Sequence, residues 1–343
     1  MKIKKGNLAY FLSRSLFLGG GISTLFLKAS KDAYIAIILG SILGIGIIYL
    51  ISLVSKRIDQ PLNEYLKEKS ILNISIRIIF IFYILFLVFI LLIILATFLY
   101  SYFLIFTPSI ISCLPFVFLA TFLNTKSTKN ISYIASVLLV LSLVLVFLKT
   151  TLLANEIDFS NIMPILTVKP SNLFITALIF SVLSTAPFLT IIDEQTTFKE
   201  NIKYYLLSML TIFIVVLTIT AVLGEMVNIY SYPEYSVLRK ISLFNFIENI
   251  ENFISAGWFF DIFISLSICS LKFKNLINVK SSLIPFIVTL IILFIVNDFI
   301  ANNFYNSMAI YKTFPIILAI FMALLMILLL IKNRKKKRWL NPS

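Results

Sequence analysis

Histidine is absent from this chain. With it go the usual general base near neutral pH and the commonest metal ligand. Cysteine is scarce: Cys113 and Cys269 each lie in an apolar stretch, without metal-like spacing, and read as small buried hydrophobes. Charge is scarce too, at 13% of residues, where an ordinary soluble domain carries about 25%. No GxSxG, HExxH, Walker or dinucleotide motif occurs. These absences set the expectation of a non-enzyme with no cofactor and no metal site.

What the chain has in abundance is apolar surface. Hydrophobic residues make up 60% of its 343 positions, and the mean hydropathy is +1.04. One water-soluble core of this composition would lack the polar residues to cover it. The net charge of +14 does not point to nucleic acid, because the basic residues sit at the ends of apolar runs and not on a patch with interleaved aromatics. The expectation is an all-α integral membrane protein.

A span needs about 20 apolar residues. Ten segments qualify or nearly so: 8–27, 32–54, 74–103, 108–123 (short), 131–153, 171–192, 203–225, 252–271, 281–300 and 312–332. The basic start, Met1 to Gly6, is not followed by an A-x-A-like cleavage site, so the first segment is expected to stay as an anchor. The whole chain, 1–343, reads as one transmembrane domain ending in a basic tail, 333–343.

Lysine and arginine set the expected orientation. With the N-terminus cytoplasmic, the inner loops and tail hold 21 of 29 basic residues, including Lys2, Lys4, Lys5, Lys56, Arg57, Lys199, Lys272 and the run Arg334 to Arg338. The outer side holds 7: Lys28, Lys31, Lys149, Lys169, Arg239, Lys240 and Lys312. Both ends are therefore expected inside, with the tail touching anionic lipid headgroups. Arg14 lies within segment 1 and is expected to snorkel inward. Lys149 is expected to snorkel outward, the alternative being a buried ammonium that stands in for a coupling cation. Asp193 and Glu194 read as a solvated helix end. Residues 226–251 are too polar to span, and Val237 to Phe253 carries apolar residues at helical spacing, which suits a helix on the outer membrane surface.

Two segments carry breaks. Gly19, Gly20 and Gly21 fall midway through segment 1, and Ser23 follows within Ile22-Ser23-Thr24. Glycine costs about 1 kcal/mol relative to alanine in a helix, so the run marks either an unwound stretch or a close helix–helix approach. Segment 6 reads Ser181-Val182-Leu183-Ser184-Thr185-Ala186-Pro187, and Pro187 disfavours the helical turn before it. Five spans per half would give the second half inverted topology. Paired breaks at matching positions of two such halves, about 8–153 and 171–332, point to a midplane binding site. A simple proline kink is the structural alternative. Asp261 lies near the middle of segment 8, where a carboxylate is costly unless paired, hydrated or protonated. Tyr83 in segment 3 is within reach of such a site. The expected ligand-binding set is Gly19, Gly20, Gly21, Ser23, Ser181, Ser184, Thr185 and Asp261.

Three stretches resemble one family. They are Gly19 through Lys31-Asp32-Ala33-Tyr34-Ile35 with Gly40 and Gly44; Asp158-Phe159-Ser160-Asn161-Ile162-Met163-Pro164; and Tyr232-Pro233 through Glu251, ending at Trp258. In order and spacing the chain, from 10 to about 330, resembles the B-subunit permeases of spore germinant receptors (GerAB-like), within the amino acid–polyamine–organocation superfamily. The resemblance implies ten transmembrane helices in a 5+5 inverted-repeat, leucine-transporter-like bundle, with a germinant pocket formed by helices 1, 3, 6 and 8. It implies A- and C-type partner subunits in the inner membrane of a spore, and a small nutrient ligand, often an amino acid. The chain departs from the family where Ser265 stands near a frequent lysine, and where Ser184 to Pro187 replaces a Gly-Phe-Glu-like centre, so pocket chemistry does not carry over. Three functions stay open: a germinant-sensing subunit, a cation- or proton-coupled amino acid permease, and a non-binding scaffold subunit.

Overall fold

The structure is a computed structural model. It describes residues 5–340 except 59, 106, 195 and 242–249; for 250, 253, 302–308 and 334–340 it describes the backbone alone. Every regular element among the described residues is helical. In order these are α1 (Gly6–Leu16), α2 (Gly20–Ala29), α3 (Ala33–Ser55), α4 (Leu62–Tyr65), α5 (Ile71–Tyr102), α6 (Ser109–Phe122), α7 (Thr128–Leu152), α8 (Pro170–Thr185), α9 (Phe198–Leu223), α10 (Pro233–Leu238), α11 (Ile250–Leu276) and α12 (Leu283–Leu340).

All ten expected segments fall on helix, yet eight elements are long and apolar enough to cross a membrane. The difference has two physical causes. Segment 1 is broken into α1 and α2, of 11 and 10 residues, and α2 continues through a turn at Ser30 into α3, so that Gly20–Ser55 forms one apolar stretch. Segment 4 is short, covering Ser109–Thr125.

The last element, α12, turns back on itself. In its first arm Phe286 packs on Phe118, and Asn297 accepts from the Ile110 amide at 3.2 Å. In its second arm Tyr311 bonds Thr97, and Asn333 accepts from the Tyr65 hydroxyl at 2.6 Å. A straight helix would carry Tyr311 about 20 Å beyond Asn297. Its position level with Thr97 of α5 places the reversal between these two residues.

The bundle centre is α1, which packs on α7, α9 and α11, with α5 packed against α11. Every residue of α1 is buried. The outer helices α3, α6, α7 and α12 leave Ile42, Phe118, Phe147 and Ile291 exposed, as a lipid-facing surface requires.

Both described ends reach one face of the bundle, called here the terminal face. Lys5 bonds Glu194 at 2.5 Å; Lys272 pairs with Asp193 at 2.6 Å and also with Glu194; Asp193 accepts from the Leu62 amide at 3.1 Å; and Lys332 bonds the Tyr65 carbonyl. Asp193 and Glu194 are thus not a solvated helix end: their side chains are 9% exposed and tie four segments together. The expected surface helix is corrected as well. Val237, Leu238 and Ile241 are buried in the protein, because α10 packs on α9 and α11. Residues 242–249 of that expectation lie outside the described residues, and 250–253 begin α11.

Candidate functional site

The first helix breaks where the glycines are. After Leu16 the backbone tightens, with the Phe17 amide on the Arg14 carbonyl and the Leu18 amide on the Ser15 carbonyl. Gly19 has φ +54°, a conformation that side chains disfavour. The helix restarts at Gly20, which leaves the Gly19 amide free of a helical partner, and that N–H donates to the carboxylate of Glu234. Close approach is enforced too. A Cβ at Gly19 would overlap the Tyr232 ring, and one at Gly20 the Tyr311 ring. The unwinding and packing readings of this glycine run both hold. Gly21 lies in the first turn of α2, its amide on the Leu18 carbonyl at 3.1 Å.

Tyr232 and Tyr311 share one partner. The Thr97 hydroxyl donates to the Ile93 carbonyl at 2.7 Å and accepts from both tyrosines, from Tyr311 at 2.8 Å, which uses its one proton and two lone pairs. An aromatic cluster steadies α10 behind them, with Phe98 on Trp258 at 4.8 Å and Tyr102 on Tyr235 at 4.3 Å between centroids.

Four ionisable side chains gather beside the break. Arg14, on the last turn of α1, does not snorkel. It is 8% exposed, lies 3.1 Å from Asp261, and donates to the hydroxyls of Tyr10 and Ser142. It turns inward because α1 is enclosed on all sides, so no path to the membrane surface is open to a side chain in its last turn. Lys149 is likewise buried and not snorkelled: it lines two cavities of about 20 and 10 Å³, both shared with Arg14 and Trp258 and the first also with Glu234. Two cations and two carboxylates balance in charge, but their hydrogen bonding is incomplete. Oδ1 of Asp261 and Oε2 of Glu234 are buried without a partner among the described residues, and Oδ2 of Asp261 has only the Arg14 ion pair. Cavities this small hold about one water each. The site is closed around its own side chains.

A larger cavity, about 210 Å³, opens toward the face opposite the termini and is lined by Gly20, Ser23, Ser231, Tyr311 and Lys312. Ser23 donates to the Ser231 carbonyl at 2.7 Å. Gly20 and Tyr311 thus stand between this opening and the charged cluster.

The expected residues of segment 6 are not part of this arrangement. The helix does break there, changing to a tighter 3₁₀ turn over Ala186–Ile191, and the Tyr83 hydroxyl donates to the Ala186 carbonyl at 2.6 Å. Tyr83 is therefore committed to the break. The hydroxyl of Ser181 donates to the Leu178 carbonyl, and those of Ser184 and Thr185 to the Ser181 carbonyl. Thr185 also faces Met322. These hydroxyls are spent on their own helix, and no described contact joins them to Asp261. The structure thus gathers Gly19, Gly20, Gly21 and Asp261 around one site, places Ser23 at its entrance, and sets Ser181, Ser184 and Thr185 apart.

Two of the three signature stretches serve the scaffold. Asp32 accepts from the amides of Leu166, Thr167 and Val168 and from the Thr167 hydroxyl, at 2.7–3.1 Å. Lys31 donates to the Met163 carbonyl at 3.0 Å. Asp158 accepts from the Ser160 amide, and Asn161 donates to the Ala221 carbonyl. These bonds pin the 154–170 loop over the ends of α2 and α9. The third stretch supplies Tyr232, Glu234 and Trp258 to the site itself. Glu234 had one signal in sequence, a carboxylate directly after Tyr232-Pro233 in a segment too polar to span; nothing in its neighbours tells that it points into the bundle.

A family model described as spore germination protein matches residues 9–305. No curated protein matches the chain. The chain belongs to this family of permease-like spore germination membrane proteins.

Proposed function

We propose that this member of the spore germination protein family is the membrane subunit of a germinant receptor, which binds a small nutrient with a carboxylate and an amine at the helix break and passes on the binding as a germination signal. The observation that carries this reading is the contact between the Gly19 amide and Glu234, set beside Lys149 and the Arg14–Asp261 pair. A break in a membrane helix presents amide donors to an anion. Here an internal carboxylate holds that place, in a pocket too small for an amino acid. A ligand carboxylate entering from the 210 Å³ opening would compete with Glu234 for the Gly19 amide and Lys149, while its ammonium would meet the under-bonded Asp261.

Displacing Glu234 moves α10, and with it the aromatic cluster. Binding energy is in this way converted into a shift between two states of the bundle. The reading includes an inverted pair of five-helix halves, both termini in the cytoplasm of a spore inner membrane, and A- and C-type subunits as partners; family membership and the common face of the two ends support it. Coupled uptake by the same pocket is the second reading, favoured by the unsatisfied Oδ1 of Asp261, which suits a transported cation or proton.

The test uses spores whose sole copy carries Asp261→Asn. The expected result is loss of nutrient-triggered germination with the protein still present in the membrane. Unchanged germination would overturn the reading. Accumulation of labelled nutrient in vesicles of the wild type, abolished by the same substitution, would replace sensing with uptake.

A further inference from the structure

A second cavity, of about 460 Å³, lies at the edge of the terminal face, away from the helix break, and does not depend on the nutrient reading. Its volume is in the range of small-molecule sites. It forms where α6, the end of α11 and the start of α12 meet. The chain reverses between the last two at Asn278, φ +55°, and this turn sets Lys274, Lys280 and Ser282 along one rim.

The wall below that rim is aromatic and turned outward. Phe118 and Phe122 are 56% and 57% exposed and stack at 6.5 Å with planes 19° apart. Phe286 closes the other side, edge-on to Phe118 at 6.3 Å. On α6, Phe118 lies about 6 Å deeper than Phe122, so the rings descend from the rim into the lipid-facing belt.

The rim is cationic and held in place. Lys274 donates to the Asn124 carbonyl at 2.9 Å and to the Ser282 hydroxyl at 3.1 Å, which leaves one of its three donors. Lys280 is exposed. Neither lysine has a carboxylate within ion-pair distance among the described residues, and the cleft has no acidic residue in its lining. A soluble anion would use the lysines and leave the rings idle. An uncharged lipid would use the rings and leave the lysines unpaired. One class of molecule, already present in the surrounding leaflet, matches both.

We propose that this cleft binds an anionic phospholipid, with its phosphate at Lys274 and Lys280 and an acyl chain along Phe118, Phe122 and Phe286. Such a lipid bridges α6 to the first arm of α12.

The experiment is native mass spectrometry of the purified full-length protein, titrated with phosphatidylglycerol or phosphatidylcholine. The expected result is one tightly retained phosphatidylglycerol, favoured over phosphatidylcholine. Lys280→Gln should weaken retention about fivefold, the effect of one lysine near a charged membrane surface. Phe122→Ala should weaken it as well, and Lys129→Gln, outside the cleft, should not. Equal retention of the two lipids would overturn the proposal, as would no effect of Lys280→Gln. Displacement of the lipid by water-soluble glycerol phosphate would reduce the site to a headgroup anion site and also overturn it. A retained second polypeptide in place of lipid would assign the cleft to a protein partner instead.

Discussion

Two clusters, each of two cations and two carboxylates, sit at different depths of this bundle and are built differently. At the terminal face, Lys272 reaches both Asp193 and Glu194, Lys5 reaches Glu194, and Asp193 gains a backbone amide as well. Beside the helix break, Arg14 and Asp261 form an ion pair, while Lys149 makes none among the described residues and two carboxylate oxygens, Oδ1 of Asp261 and Oε2 of Glu234, have no partner there. Burying a charge is repaid when its partners are complete. The first cluster meets that condition and fastens α1, α4 and α11 to the 191–198 connection. The second does not, and buried polar groups left this way are costly. Such a cost is expected where a ligand is to supply the missing partners.

The largest effect on stability should come from the terminal face. Lys272→Met strips two buried carboxylates of their shared ammonium and should destabilise the protein by about 3–5 kcal/mol, read from denaturation in detergent, while nutrient binding by the folded fraction is kept. Asp261→Asn still offers Arg14 an acceptor and should cost less, about 1–3 kcal/mol, yet abolish nutrient binding. If the ranking came out the same for stability and for binding, the two clusters would not differ in kind.

Acid should sharpen the same contrast. Burial raises the Glu194 carboxyl, but Lys272 and Lys5 outweigh it and hold the group below the usual carboxylate range. A carboxylate with a depressed folded value contributes stability that is present above the unfolded value, about 4.3, and lost as pH falls through the lower folded one. The melting temperature of the wild type should therefore fall as pH drops from about 5 through about 2, and that of Lys272→Met should fall less.

Much of this was legible in the residues. Apolar runs of about 20 residues marked the helices, Gly19 to Gly21 marked the first break, Pro187 the second, and the position of Asp261 in segment 8 marked it as a carboxylate buried in the bundle. Other features depend on how the helices are set against one another. Whether Arg14 or Lys149 snorkels or turns inward is decided by the enclosure of α1, which no single segment records. Ser181, Ser184 and Thr185 looked available because a hydroxyl in sequence does not show that it bonds the preceding turn of its own helix. Glu234 was hidden by its polar surroundings: a loop that cannot span looks external, although α10 inserts it beside Gly19. Asp32 and Asn161 carry signature spacing for the scaffold and not for the ligand.

The central claim is that the under-bonded cluster at the helix break receives the nutrient. The most direct measurement is the thermal stability of the purified protein across a panel of amino acids, nucleosides and sugars, for wild type, Asp261→Asn and Thr185→Ala. A ligand of the folded state raises its stability, by about 2.7 kcal/mol at a hundred times its Kd. The account predicts stabilisation by a compound bearing a carboxylate and an amine, lost in Asp261→Asn and kept in Thr185→Ala. Equal stabilisation of wild type and Asp261→Asn, or its loss in Thr185→Ala alone, would contradict it.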